Sequence, residues 1–285
     1  MDLSSLTAIS PIDGRYRNKS ADLADTFSEF GLIKYRLFIE VKWFQHLSDV
    51  EGLCELPSLE ESDRTFLNSL VDTFSEKCAR EVKALEKKTN HDVKAVEYFL
   101  KEKIKDVNTL SPFSEFIHFA CTSEDINNLA YALMLKDTIS HVIEPKLDKL
   151  IAMLTNLATA LARVSMLSRT HGQAAVPITF GLKIAVFVDE FRRHLVRLDE
   201  LEARAITGKF LGAVGTGAAQ GENAKELQRL ILEHLGLSVP VATTQVVGRD
   251  RYIEWVGWMA NVAASVEKLL QEVRNLQRSE IAEVG

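Results

Sequence analysis

The fold class follows from residues 145–164, which read PKLDKLIAMLTNLATALARV. Apolar side chains recur there at steps of three and four, a spacing that keeps them on one face of an α-helix. Two more stripes of this kind run through residues 184–201 and 255–276. Stripes of this length favour long helices that pack side by side at shallow angles. The sequence therefore predicts an all-α protein built around a long-helix bundle.

The rest of the chain predicts shorter helices. A boundary is predicted near residues 106–112, which would separate a mainly helical N-terminal domain, 1–111, from a partial long-helix bundle domain, 112–285. Further helical patterns cover about residues 22–49, 59–88, 92–105 and 112–120, and a short one begins near Thr122.

Residues 239–247 are the one segment with a strand-like pattern that stands out. They could form a short strand, but Pro240 makes an extended loop at least as compatible with the sequence. Gln245 lies in this piece and could offer its amide group to a ligand. An ordinary loop glutamine is the alternative.

Composition and charge exclude several classes of partner. A net charge of −6 over 285 residues argues against nucleic-acid and membrane-surface binding, although local arginines can still hold a small anion. No apolar run is long enough to cross a bilayer, and the N-terminus lacks the pattern of a signal peptide. Cys54, Cys78 and Cys121 are widely spaced and suggest a reducing compartment. We therefore expect a cytoplasmic protein.

Cofactor motifs are not found in the sequence. The glycine-rich residues 208–221 have neither the Lys-Ser/Thr ending of a P-loop nor a GxGxxG motif after a strand. They are interpreted as a flexible or close-packed loop between two bundle helices. No residues have metal-ligand spacing. The sequence therefore predicts no metal and no organic cofactor.

A polar stretch, residues 168–177, lies between the first two apolar stripes. Gly172 allows a sharp reversal of the chain and leaves His171 at a break between two rigid helices. Loops on a rigid scaffold often carry chemistry, because the scaffold fixes their side chains. A helix C-cap with a solvent-exposed histidine is the alternative interpretation.

A second polar segment, residues 89–94, joins two predicted helices. Asn90 or Asp92 is a suitable N-cap for the helix that follows. Capping explains one polar residue but gives His91 no role. A functional histidine and an incidental one beside a cap are both compatible with the sequence.

A third polar segment, residues 121–128, opens another predicted helix. Thr122 with Asp125 three residues later resembles a capping box. The alternative is an anion site, since the hydroxyl groups of Thr122 and Ser123 at a helix N-terminus suit a carboxylate or a phosphate. Glu124 and Asp125 would oppose an anion unless their side chains point away.

Five segments of the sequence together resemble one known family. They are similar to the fumarase/aspartase superfamily of lyases and, within it, to the bacterial adenylosuccinate lyases. The first segment separates this chain from fumarase, aspartase and argininosuccinate lyase, which share the bundle. The segments are residues 10–16 (SPIDGRY), 89–98 (TNHDVKAVEY), 122–128 (TSEDINN), 168–173 (SRTHGQ) and 243–245 (TTQ).

The resemblance implies a reaction and a role for each site residue. The family's reaction is a β-elimination that cleaves a C–N bond and releases fumarate, without a metal or an organic cofactor. Its substrates are a phosphorylated succinyl-purine nucleotide and the imidazole precursor of such nucleotides. By resemblance, His171 is the general acid, Arg15 and Tyr16 hold the substrate phosphate, Asn90, His91 and Asp92 orient the substrate, Thr122 and Ser123 bind a succinyl carboxylate, and Gln245 reaches the substrate from another subunit.

The resemblance also implies a homotetramer whose active sites combine residues from three chains. The family carries a mobile loop, Ser-Ser-x-Met-Pro-His-Lys-x-Asn-Pro, whose serine is the base, and no segment of this sequence matches it. We therefore expect a truncated chain or a proteolytic fragment that is inactive alone, with a natural short form as the alternative. A superfamily lyase with a different amine substrate and a non-catalytic helical assembly module are the competing hypotheses.

Overall fold

The computed structural model describes residues 6–50 and 55–285, and these residues are mainly helical. Residues 1–5 and Cys54 lie outside the described ranges. The prediction that the N-terminus has no signal peptide concerns these first residues. The all-α prediction is confirmed, and the described residues contain one small sheet, formed by β1 Ser165–Thr170 and β2 Gln173–Thr179. The α-helices are α1 Arg17–Ser20, α2 Ala24–Phe27, α3 Glu29–Ser48, α4 Glu61–Asp72, α5 Glu76–Thr89, α6 Asp92–Ile104, α7 Ser123–Thr138, α8 Glu144–Ala160, α9 Phe180–Ala205, α10 Ala224–His234 and α11 Asp250–Leu276.

The three long stripes form α8, α9 and α11, although α8 ends at Ala160, before Leu161 and Val164 of the first stripe. Local signals divide several shorter patterns. The pattern over 22–49 breaks at Ser28, whose hydroxyl accepts a hydrogen bond from the Gly31 amide at 3.1 Å and caps α3. The pattern over 59–88 divides into α4 and α5. The pattern over 112–120 is only a 3₁₀ segment, Ser111–Phe116. α10 lies in a region without a predicted helix.

Internal contacts divide the chain into two units. Unit 1 comprises Met1–Thr138 and Ile206–Gly248, and unit 2 comprises Ile139–Ala205 and Arg249–Gly285. The predicted boundary at residues 106–112 falls within unit 1. The division into an N-terminal domain, 1–111, and a bundle domain, 112–285, therefore stays a prediction.

α3 forms the centre of unit 1. Its residues Leu37 and Phe44 are fully buried, and the helix packs against α4, α5, α6 and α7. Trp43 of the same helix lies against Phe210, with 4.3 Å between the ring centroids. Burying each large apolar side chain contributes about 1.5–3 kcal/mol, so α3 is a main hydrophobic anchor of unit 1.

Two charged residues, Arg36 and Glu40, lie on the buried face of α3. Glu40 is fully buried, and its Oε1 lies 2.6 Å from His118 Nδ1. Burial alone would lower the pKa of His118, but the pairing with Glu40 outweighs burial and raises the pKa above its ordinary value. His118 therefore binds its proton more tightly in the folded protein than in the unfolded chain.

This His118–Glu40 pair is expected to make stability depend on pH. The pair stabilises fully below about pH 6.5, and its contribution is lost as the pH rises through the raised pKa of His118. Urea unfolding from about pH 6 to about pH 9 should show this decline in the free energy of unfolding. Glu40→Gln should remove most of the slope, and an equal slope in both proteins would contradict the pairing.

Unit 2 contains α8, α9, α11 and the sheet of β1 and β2. α9 packs against both α8 and α11. At Gly181, α9 approaches α8 so closely that an added Cβ would lie 2.4 Å from Ala158 O. The stripe residues Leu154, Phe191 and Leu269 are buried.

Other members of the same stripes face outward. Leu157 of α8, Met259 of α11 and Val273 of α11 are exposed. The helices of unit 2 therefore retain apolar side chains that the described residues leave exposed. No described helix combines the length and the apolar character that a membrane span requires.

Candidate functional site

His171 lies at the tip of the hairpin formed by β1 and β2. The strands are antiparallel, and their last pair, Thr170 with Gln173, leaves His171 and Gly172 as a two-residue turn. The two turn residues have φ values of 54° and 72°, as the tightest hairpin turns require. The predicted reversal at Gly172 is confirmed. The flanking residues are strands rather than helix ends, so the C-cap interpretation of His171 is wrong.

Contacts within unit 2 hold this hairpin in place. Arg169 of β1 donates two hydrogen bonds of 3.0 Å to the Glu283 carboxylate. The Ser168 hydroxyl donates to Val176 O on the opposite strand. The side chain of His171 is exposed beyond these contacts. An imidazole on a braced, exposed turn can transfer a proton to a ligand.

In unit 1, His91 caps α6 with its ring. Its Nδ1 accepts a hydrogen bond from the Lys94 amide at 3.1 Å, which assigns the proton of a neutral ring to Nε2. Nε2 lies 3.3 Å from Ser123 Oγ. The predicted N-caps, Asn90 and Asp92, are wrong, since Asn90 instead ends α5 with a φ of 53°. Capping thus fixes the His91 ring and turns Nε2 towards Ser123.

Asp92 is held by Arg36 of α3. Arg36 Nη2 donates to Asp92 Oδ2 at 2.6 Å, and Arg36 Nε donates to Asn127 Oδ1 at 2.9 Å. Burial opposes ionisation of Asp92, but Arg36 and the Val93 amide together outweigh burial and hold the pKa of the carboxyl group below its ordinary value. Arg36 therefore ties the start of α6 to α7.

Thr122 and Ser123 lie where α7 begins. Asp125 Oδ2 accepts a hydrogen bond from the Thr122 amide at 2.8 Å, which confirms the predicted capping box on its acidic side. The Asp125 side chain is fully buried and lies 2.7 Å from Lys209 Nζ. Its charge is therefore directed inward and compensated, and it does not oppose an anion at Ser123.

Gln245 lies next to Thr122 within this chain. Its Nε2 donates to Thr122 Oγ1 at 3.4 Å. The surrounding residues 239–247 form a loop, so the loop interpretation is confirmed and the strand interpretation is wrong. The contact that Gln245 is predicted to make from another subunit stays a prediction.

Arg15 and Tyr16 lie in an exposed turn near the N-terminus. The guanidinium carbon of Arg15 lies 5.5 Å from the Tyr16 ring centroid. Within residues 6–50 and 55–285, no ion pair neutralises Arg15, and no hydrogen bond joins it to the residues at the starts of α6 and α7. Among the described residues, its charge is therefore not compensated by a carboxylate.

A polar cleft of about 600 Å³ opens beside His91. Lys83 in its wall is paired with Glu29 and Glu86, whereas Lys87 has no carboxylate partner in the described part of the chain. A cleft with a free ammonium group suits a small ligand that carries negative charge. Its lining residues are Lys83, Glu86, Lys87, Asn90, His91 and Asp92.

The predicted site residues thus fall into three places. Unit 1 brings together those at the starts of α6 and α7 and in the loop before α11, namely Asn90, His91, Asp92, Thr122, Ser123 and Gln245. Arg15 and Tyr16 belong to unit 1 but lie on a separate turn. His171 belongs to unit 2.

Sequence reasoning missed Arg36 and Lys209, which hold Asp92 and Asp125. The position of Arg36 gives a signal, because it lies one helical turn from Ile33 and Glu40 on the apolar face of α3. A charged residue on an apolar face usually has a buried partner. Lys209 gives no comparable signal, since it lies in a glycine-rich stretch without periodicity.

The described residues contain no group of three or more His, Cys, Asp or Glu side chains arranged to hold a metal ion. Cys78 and Cys121 are free thiols. Burial raises the pKa of the Cys121 thiol well above its ordinary value, so the thiol stays protonated.

A family model described as lyase matches residues 14–285. The chain belongs to this lyase family. The matched range contains every predicted site residue of the lyase chain, from Arg15 to Gln245.

Two curated relatives of this lyase chain carry the same name. It is 48% identical over 259 residues to the adenylosuccinate lyase of Escherichia coli (strain K12), and 46% identical over 259 residues to that of Legionella pneumophila (strain Corby). Each match covers 89% of this chain and 56% of the relative. The predicted resemblance to adenylosuccinate lyases is confirmed, and the chain spans little more than half the length of these relatives.

Solved structures with a similar fold include two other enzymes. A fumarate lyase from Mesorhizobium sp. BNC1 matches with a TM-score of 0.78 at 24% identity, over 92% of this chain and 58% of that one. The 3-carboxy-cis,cis-muconate lactonizing enzyme from Pseudomonas putida matches with a TM-score of 0.77 at 24% identity, over 92% and 57%. These matches concern the fold alone.

Proposed function

We propose that this chain forms part of a lyase of purine nucleotide biosynthesis that cleaves adenylosuccinate to AMP and fumarate. The observation that carries the proposal is the 48% identity to the E. coli adenylosuccinate lyase over 89% of the chain. The same enzyme would release fumarate from succinyl-aminoimidazole carboxamide ribotide, since both substrates carry the same succinyl-amino group.

The proposed chemistry is a β-elimination in which two protons move. A base removes a proton from the succinyl carbon next to the C–N carbon, and the electron pair forms the double bond of fumarate. The C–N bond breaks, and the leaving nitrogen takes a proton from His171. By family resemblance, the base is the serine of a loop that residues 1–285 do not contain.

The substrate would be held through its negative charges. The guanidinium of Arg15, which has no carboxylate partner among the described residues, suits a phosphate, because its planar donors match the phosphate oxygens. The hydroxyl groups of Thr122 and Ser123, at the N-terminus of α7, suit a succinyl carboxylate. Lys87 adds a positive charge to the cleft beside His91. Asn90, His91, Asp92 and Gln245 would orient the rest of the substrate.

The active enzyme would be a cytoplasmic homotetramer with composite sites. The exposed residues Leu157, Met259 and Val273 support association, because long helices with uncovered apolar side chains seek further helices. The proposal also includes a longer form of the protein, in which residues 1–285 continue into the serine loop. This polypeptide is called the longer form below.

The test of the proposal is the substrate range of the longer form. Purified and treated with a chelator, it should convert adenylosuccinate to AMP and fumarate, both measured by chromatography. The same preparation is assayed for release of fumarate from argininosuccinate and for hydration of fumarate, as matched alternatives. Release of fumarate only from argininosuccinate, or hydration of fumarate alone, would contradict the proposal and favour another superfamily lyase.

Arg15→Ala in the longer form is expected to raise KM for adenylosuccinate while kcat changes little at saturation. A charge-assisted hydrogen bond to phosphate contributes about 1.5–3 kcal/mol, which corresponds to roughly a 10- to 100-fold change in KM. Arg17→Ala is the matched control, since Arg17 lies in the same region but is paired with Asp13 at 3.7 Å. Equal KM values for both variants would give Arg15 a structural role only.

A further inference from the structure

A buried ion pair lies beneath the start of α7. Lys209 and Asp125 have side chains that are 0% exposed, and Lys209 Nζ lies 2.7 Å from Asp125 Oδ1. The Lys209 ammonium group also donates to Gly212 O. The Asn128 side chain pairs with the backbone of Lys209 through bonds of 2.8 and 3.0 Å. Desolvation offsets much of the attraction in such a pair, so stability alone does not explain it.

The Asp125 carboxylate joins two segments that border the proposed substrate site. Oδ2 accepts a hydrogen bond from the Thr122 amide at 2.8 Å. Oδ1 accepts one from the Leu211 amide at 3.2 Å, beside the Lys209 ammonium group. One carboxylate therefore fixes both the cap of α7 and the start of the glycine segment, defined here as residues 211–217.

The glycine segment extends the connection to Gln245. The Gly217 amide donates to Leu211 O at 2.9 Å and closes the segment into a turn. Gly215, with a φ of 77°, lies so close to the neighbouring loop that an added Cβ would be 2.2 Å from Thr243 O. Gln245 of that loop donates to Thr122 Oγ1 at 3.4 Å.

These contacts form a closed ring. It runs from Thr122 through Asp125 and the glycine segment to residues 243–245, and from Gln245 back to Thr122. Three of the proposed substrate contacts, Thr122, Ser123 and Gln245, belong to this ring or adjoin it. The glycine segment is therefore a close-packed frame, which is one of the two interpretations of its sequence.

We propose that Lys209 is a positioning residue for the substrate site. It holds Asp125 as an inward-facing carboxylate, and Asp125 in turn sets the positions of Thr122, Ser123 and the loop that carries Gln245. Lys209 acts through Asp125, because its own side chain is fully buried. The identity of the ligand rests on the proposed function, whereas the ring of contacts does not.

The first test is hydrogen exchange in the 285-residue chain. Lys209→Met removes the charge and keeps most of the length of the side chain. It should speed exchange of the Thr122 and Leu211 amides by roughly 10- to 100-fold. Burial raises the pKa of Asp125 and Lys209 opposes that rise, so without the ammonium group the carboxyl group takes up a proton or turns towards solvent, and both hydrogen bonds weaken. Amides in the middle of α3 should change much less, which separates a local effect from a general loss of stability.

Lys101→Met is the matched control. Lys101 is also paired with a buried carboxylate of unit 1, that of Glu97, at 3.2 Å, but it lies outside the ring. This variant should leave exchange at Thr122 and Leu211 at the wild-type rate. Similar acceleration in both variants would overturn the proposal.

A double variant keeps the test decisive where Lys209→Met folds poorly. Asp125→Asn together with Lys209→Met removes both buried charges, and the amide oxygen of asparagine can still accept from Thr122. Slow exchange at Thr122 should return in this protein. If the Thr122 amide still exchanges fast in the double variant while the amides of α3 stay protected, Lys209 does not act through the charge of Asp125, and the proposal is contradicted.

AMP binding separates this inference from the proposed function. Titration with AMP should show weaker binding by Lys209→Met than by wild-type chain or Lys101→Met. Absence of AMP binding by all three chains, with the exchange pattern intact, would count against the proposed ligand and leave the positioning role supported. Equal AMP affinity of all three chains would contradict the positioning of the substrate site by Lys209.

Discussion

Replacing His171 by asparagine in the longer form is expected to lower kcat by roughly a hundred- to ten-thousand-fold, with a much smaller change in KM. The leaving nitrogen of adenylosuccinate would then lack its proton donor, while the groups that bind the substrate would be unchanged. Asparagine is chosen because residue 171 has a φ of 54°, and asparagine adopts this left-handed conformation more readily than most residues. The loss of rate then reports on proton transfer rather than on the hairpin.

Two further variants complete this experiment. His171→Ala should lose kcat to the same extent and should also be less stable to urea, because alanine is strained at a positive φ. His234→Ala is the control, since His234 is an exposed histidine at the end of α10. A near-wild-type kcat for His171→Asn would remove His171 from the mechanism.

The 285-residue chain alone is expected to release no measurable fumarate from adenylosuccinate. It carries His171 and the proposed binding residues of unit 1, but no segment that matches the serine loop. Removing one member of a catalytic set collapses most of the rate, typically by roughly 10⁴- to 10⁶-fold. The measurement is fumarate by chromatography, with the longer form at equal concentration as the positive control. Turnover by the isolated chain above the rate in buffer would contradict the need for the loop.

The sequence predicts the long helices well, because their apolar stripes are long and regular. A stripe such as residues 184–201 can be buried in only one regular conformation, so its local pattern and its packing agree. The shorter helices were less well predicted where capping residues decide the boundary. Ser28, for example, interrupts a pattern that is continuous in its apolar residues.

The hairpin that carries His171 is harder to predict. Its strands alternate only weakly between exposed and partly buried positions, and its turn begins with histidine instead of the usual asparagine or glycine. The sequence signal for a strand consists of Thr179 and the β-branched residues before it. The helical signal of the two flanking stripes is stronger.

The support of the candidate site depends on contacts between distant parts of the sequence. Lys209 lies 84 positions from Asp125, and Arg36 lies 56 positions from Asp92. No local pattern connects such pairs. The sequence does indicate Thr122, Ser123 and His91, because helix capping and polar composition concentrate there.

The most direct test of the central claim is to mix the 285-residue chain with the His171→Asn variant of the longer form and to measure fumarate released from adenylosuccinate. Each partner alone lacks one of the two groups that are proposed to move protons. If this chain supplies His171 and the longer form supplies the serine loop, the mixture should release fumarate well above the sum of the separate rates. A mixture that assembles, as judged by sedimentation, but is no more active than its parts would contradict a contribution of His171 from this chain to a shared active site.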